Sequence, residues 1–203
     1  MYNITRRFSD NTSKTTEKDR LISISFFGAK RRFFMYKFTT KKLARAGVIA
    51  ALYVVLSLAV LPIASGAIQF RPSEALTILP LFFTESIPAL FIGCMLSNLI
   101  TGCAVWDIIF GSVITLVSGI LTYFVGRLLK NDMVKALIGG IFPIVLNALF
   151  LPLIWYFCYG LEYLYILHVL FLSASQSVVI YGLGIPLYFA VKKLKKKTWL
   201  FTD

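Results

Sequence analysis

Long apolar runs constrain this chain more than any single motif. From about Leu43 to Leu61, Ala89 to Ile100, Asp107 to Leu129, Ala136 to Tyr156 and His168 to Val191, charged residues almost vanish, and only short polar breaks separate the runs. About 20 apolar residues cross the ~30 Å hydrocarbon core of a bilayer as a helix. Within that core each backbone N–H and C=O must be satisfied inside its own segment, so such runs fold as helices. Composition agrees: 58% of the residues are hydrophobic and 15% charged, where a soluble domain carries about a quarter charged. The mean hydropathy is +0.80. The expectation is an all-α, polytopic membrane bundle of six transmembrane helices.

Two of the six are short. A second helix is expected from about Pro72 to Phe83 and a third over Ala89–Ile100, with "TESIP" breaking them apart. Read as one interrupted crossing, they would leave five spans. Charge decides. With six crossings, Lys37–Arg45, the Arg127–Lys135 loop and the Lys192–Lys197 tail share one side, as the positive-inside rule requires. With five, the basic N-terminus and the basic tail would face opposite sides. Six crossings therefore place both termini in the cytoplasm of a cell-membrane protein, and put residues 63–71, 101–107 and 157–165 outside.

Three domain segments follow. Residues 1–36 read as a basic extension, disordered or surface-lying; residues 37–197 form the membrane domain; residues 198–203 are a tail. The chain's net charge is +12, of which residues 1–34 contribute +5. "MYKFTTKKLARAG" resembles a bacterial start, so the alternative reading of the extension is that translation begins at Met35. Juxtamembrane basic clusters set topology and touch anionic lipid; nucleic acid is not an expected partner.

Polar residues inside such a chain are the candidate site. In "IQFRPSEALTILP", Pro72 suits the first position of a helix, and Glu74 sits in the first turn, where the helix dipole favours it by about 0.3–1 kcal/mol. Arg71 and Glu74, three apart, can pair. A capped helix start and a charged ligand-reading pair at an outer cavity mouth are compatible readings. Asp107 is either the N-cap of the fourth helix, worth about 1 kcal/mol, or a carboxylate facing the same cavity. Asn98, Asn147 and Gln176 lie in three different helices. Each alone reads as interhelical glue at about 0.6 kcal/mol; at least one is expected to recognise ligand. On the first helix, Ala46 with Ala50 and Gly47 with Ala51 make a smooth flank that another helix can approach.

Several classes are excluded. There is no GxxxxGK[ST], HExxH or GxSxG, so neither P-loop ATP hydrolysis nor those hydrolytic chemistries are expected. Cys94, Cys103 and Cys158 show no metal spacing, and the sole His168 has no partner histidine. No cofactor, no metal and no enzymatic activity are expected.

From Met35 onward the chain resembles the QueT family of substrate-binding (S) components of energy-coupling factor (ECF) transporters. "ALYVVLSL", "IQFRPSEALTILP", "GCMLSNLI", "WDIIFGSVITL", "VLNAL" and "YGLGIPL" carry the resemblance, in this order, over roughly residues 37–195. It implies an S-component bundle that captures a queuosine precursor, a 7-deazaguanine such as preQ0 or preQ1, from outside. The implied partners are a transmembrane coupling protein, met by small residues of the first helix (Ala46 and Ala50 fit), and two cytoplasmic ATPases. The implied ligand suits the residue chemistry. A guanine-like edge offers N1–H and N2–H₂ donors and an O6 acceptor. Glu74 or Asp107 can accept, Arg71 or Asn98 donate, and Phe70 and Trp106 stack; Gln69, Asn147 and Gln176 complete the candidate set. Two positions depart from the family pattern: Gln176 stands where a glutamate is expected, and no acid follows Asn147 in "ALFLPLIWYF". Both bear on how cationic the ligand is. The competing readings are a stand-alone, proton-coupled secondary transporter, with Glu74 or Asp107 carrying the proton, and a structural membrane subunit without ligand.

Overall fold

The computed structural model describes Gly28 and residues 39–61, 70–160 and 164–197. The N-terminal extension, Gln69, Glu162 and the tail 198–203 lie outside the described residues. Contacts divide the chain into residues 1–37 and 38–203, and the architecture below is that of the second unit.

Among the described residues the fold is helical, with no strand. Helix α1 is Thr40–Ala59, a 3₁₀ helix runs Pro72–Leu81, α2 is Ser86–Ile100, α3 is Val105–Leu128 and α4 is Asp132–Tyr159. α5 (Tyr165–Val179) continues through a π turn (Ile180–Gly184) into α6 (Ile185–Lys197). Four helices are long and apolar enough to cross a membrane: α1, α3, α4 and the continuous Tyr165–Lys197.

The 3₁₀ helix and α2 fall short of that length, yet both run from one end of the bundle to the other. At one end Arg71 Nη1 donates to Asn98 Oδ1 at 3.3 Å. At the other, Arg45 Nη2 lies 2.7 Å from Glu85 Oε1. A 3₁₀ helix rises about 2.0 Å per residue against about 1.5 Å in an α-helix. Ten residues of the one and fifteen of the other thus both cover roughly 20 Å. Pro72 opens the 3₁₀ helix and Pro80 lies inside it. Every residue from Ser73 to Pro80 is buried, so this element is the axis around which the others pack. α2 meets α1 at Gly93, where a Cβ would lie 2.8 Å from Tyr53 Cβ and 3.1 Å from the Ala50 carbonyl oxygen.

Along α5 and α6 the buried face repeats every four residues: His168, Leu172, Gln176, Ile180, Gly184 and Tyr188. An α-helix of 3.6 residues per turn would drift off such a file by about 40° per step. The π turn widens the coil in the middle of the file and offsets the drift. It lies beside Gly140 of α4, where a Cβ would sit 2.8 Å from Ile180 Cγ2, and Pro186, which lacks an N–H to donate, follows it.

The end of the bundle holding Arg45 is tied by charge. The Arg45 guanidinium lies 4.7 Å from the Phe83 ring centroid, and Lys195 Nζ lies 5.6 Å from it. Asp132 accepts from the Tyr188 hydroxyl at 2.8 Å and pairs with Lys192. Outward faces are apolar instead: Val48, Leu52 and Val55 on α1, Leu99 on α2, Phe150 on α4 and Val178 on α5 are exposed. Apolar surface on this scale is unusual for a soluble monomer and is what a lipid-facing bundle presents.

Candidate functional site

The axial 3₁₀ helix carries the centre of the site. Glu74 is 3% exposed. Its Oε1 accepts from the Tyr53 hydroxyl of α1 at 2.6 Å, and its Oε2 accepts from Asn147 Nδ2 of α4 at 3.3 Å. A buried carboxylate needs such partners, because an unpaired one is costly to desolvate. Arg71, at the N-cap position of the same helix, donates to Asn98 of α2. In the apolar run of α2, Asn98 Nδ2 also donates to Cys94 Sγ at 3.7 Å, and Thr115 and Tyr53 lie beside Cys94.

Asp107 closes the group from α3. The N-cap of that helix is Ala104, without a side-chain cap. Asp107 instead lies in the first turn, buried, with Trp155 and Cys103 beside it. Gly111, one turn further on, makes the approach possible. A Cβ there would sit 3.3 Å from Asn98 Nδ2 and 3.8 Å from Asp107 Oδ1. Glu74 and Asp107 both lie within electrostatic reach of Arg71. Four elements thus direct Arg71, Glu74, Asn98, Asp107 and Asn147 toward one another, with Tyr53 joining from a fifth.

Other expected residues fall elsewhere. Phe70 is half-buried. Trp106 is 60% exposed and stacks on Phe110, with ring centroids 5.9 Å apart. The pair lines an apolar groove of about 750 Å³ between α3 and α4, together with Val113, Leu146, Phe150 and Phe157. Apart from Trp106, no candidate site residue lines that groove, which opens on the apolar outer surface. Gln176 is buried on α5, and its Oε1 has no hydrogen-bond partner among the described residues. On α1, Ala46 is buried and Ala50 half-buried against α2, whereas Gly47 and Ala51 are exposed. Among the described residues no cluster of His, Cys, Asp and Glu is arranged to hold a metal ion.

Sequence reasoning missed Tyr53, Cys94, Thr115, Trp155 and Gly111. Their side chains are ordinary in apolar helices. The one signal was a hydroxyl-bearing tyrosine amid aliphatic residues in "ALYVVL", where a buried phenol needs an acceptor.

A model of one family matches residues 43–193, more than half of the chain: the QueT transporter. The chain belongs to the QueT transporter family. It is therefore a member of a transporter family and not of an enzyme family, in keeping with the expected absence of catalysis. Among curated proteins it is similar to the queuosine precursor transporter QueT of Lactococcus lactis subsp. cremoris (strain MG1363), with 40% identity over 85 residues. That alignment covers 41% of this chain and 50% of the relative, so the chain spans about half the length of the curated relative it matches. No solved structure matches.

Proposed function

We propose that this QueT-family chain is the membrane-embedded substrate-binding component of an ECF-type importer, capturing a queuosine precursor of the 7-deazaguanine class, preQ0 or preQ1, from outside the cell. The observation that carries the reading is the constellation of half-buried Arg71 with buried Asn98, Asp107, Glu74, Tyr53 and Asn147, gathered toward one end of the bundle. Ionisable groups inside membrane helices are expensive and mark pathways and sites. The name of the Lactococcus relative supports the ligand class. A purine-like ring would offer its O6 to Arg71 and its N–H edge to Glu74 or Asp107.

In this reading six helices cross the membrane with both termini cytoplasmic, and the Arg45–Glu85 and Asp132–Lys192 pairs lie at the inner end. A transmembrane coupling protein and two cytoplasmic ATPases would supply the energy, with the exposed Gly47 and Ala51 toward the coupling protein, while Ala46 and Ala50 pack against α2. The test is equilibrium binding of preQ0 and preQ1 to the purified chain, together with co-purification of a tagged chain from membranes. Deazaguanine binding and recovered ATPases support the reading; absence of both defeats it. Burial of Glu74 also suits a proton-carrying carboxylate in a stand-alone transporter. Uptake that persists without the ATPases and collapses with the proton gradient favours that second reading.

A further inference from the structure

The geometry points to Gln176 as the residue that reads the exocyclic amine of the ligand, an inference that rests on the deazaguanine reading above. Helices α4 and α5 run antiparallel, and their facing residues match in steps of four. Trp155 meets His168 edge to face at 6.4 Å, and one step on, Leu151 and Leu172 share an apolar cluster with Trp155. The next step brings Asn147 level with Gln176. The register thus puts Gln176 on the level of Asn147, which hydrogen-bonds Glu74. Gln176 is 2% exposed, yet its Oε1 has no partner among the described residues.

A buried carbonyl without a donor is rare, and it calls for an explanation such as a missing hydrogen-bonding group. Glu74 accepts two hydrogen bonds, and a carboxylate has about four lone-pair sites. Glu74 and Gln176 thus present two neighbouring acceptors, one charged and one neutral. Two neighbouring donors, a ring N1–H and the adjacent N2–H₂, complement them. Gln176 makes the site select a 2-amino heterocycle over one that lacks the amine.

Gln176→Met separates this role from structural glue. A packing amide would leave unpaired partners behind when removed, whereas Gln176 Oε1 holds none among the described residues. Ligand-free thermal stability of the variant is expected to equal or exceed that of the parent chain. Its affinity for preQ0 is expected to fall about tenfold, the scale of one lost hydrogen bond. Affinity for the 2-desamino counterpart of preQ0 is expected to stay within about twofold, because that ligand has no donor to lose. Equal losses for both ligands, or a lowered Tm with unchanged preQ0 affinity, overturn the inference while leaving the proposed function standing. A parent chain that binds no 7-deazaguanine defeats the proposed function, and the assignment of Gln176 with it.

Discussion

Charged side chains are conspicuous in a sequence this apolar, and for that reason Arg71, Glu74 and Asp107 were legible as candidates. Their partners were not. Local spacing suggested an Arg71–Glu74 pair, but Arg71 bonds Asn98 and Glu74 bonds Tyr53 and Asn147. Separations of 21 and 73 residues are set by helix packing, which no window of sequence contains. Asp107 was open between a cap and a cavity carboxylate; the structure places the cap at Ala104. Truncating one member of a buried, hydrogen-bonded charged set costs about 2–5 kcal/mol in binding. Arg71→Ala is therefore expected to weaken deazaguanine binding by at least about 30-fold, read by isothermal titration, while the protein still inserts. Glu74→Gln keeps an acceptor for Tyr53, whereas Glu74→Ala leaves the Tyr53 hydroxyl and the Asn147 amide buried without one. The alanine variant should lose about 1–3 kcal/mol more stability than the glutamine, measured as unfolding in detergent.

Helices themselves were largely readable, because apolar length is a direct consequence of bilayer thickness. Their ends moved by a few residues: α1 is Thr40–Ala59 and α4 is Asp132–Tyr159, against expected bounds of 43–61 and 136–156. Asn131 explains the earlier start of α4, its side chain accepting from the Met133 and Val134 N–H groups. The winding of the second segment was not legible, since proline content does not announce a ten-residue 3₁₀ run. Nor was the close contact of α1 with α2, which rests on Gly93. Gly93→Leu is expected to destabilise by about 1–3 kcal/mol, the range for overpacking, through the clash with Tyr53 Cβ, and to weaken ligand binding because Tyr53 holds Glu74. The small-residue flank of α1 divides between two faces. Ala51→Leu adds bulk to an exposed face, so uptake in whole cells should fall while ligand affinity of the purified protein stays unchanged. Parent-level uptake would remove that face from the proposed docking surface.

At the scale of the whole molecule, charge asymmetry and element order pointed to six crossings; among the described residues four helices are long and apolar enough to cross a membrane, and the 3₁₀ helix and α2 are shorter. The proposed orientation puts the basic end, with Lys41, Lys42, Arg45 and Lys192–Lys197, in the cytoplasm. Cys103 and Cys158 lie toward the opposite end and are partly accessible, whereas Cys94 is buried. In single-cysteine variants on intact cells, a membrane-impermeant maleimide is expected to modify Cys103 and Cys158 but to reach Cys94 only after denaturation. Labelling of Cys103 solely in inverted vesicles would reverse the assigned orientation.

The wide turn at Ile180–Gly184 makes the last helix a shaft with a clutch. Excising a single residue there would swing everything beyond it by about 100°, unhooking Tyr188 and Lys192 from Asp132 while Gln176 keeps its bearing. The two halves of one long helix can thus be retuned separately: the anchoring at Asp132 can change over generations without moving Gln176.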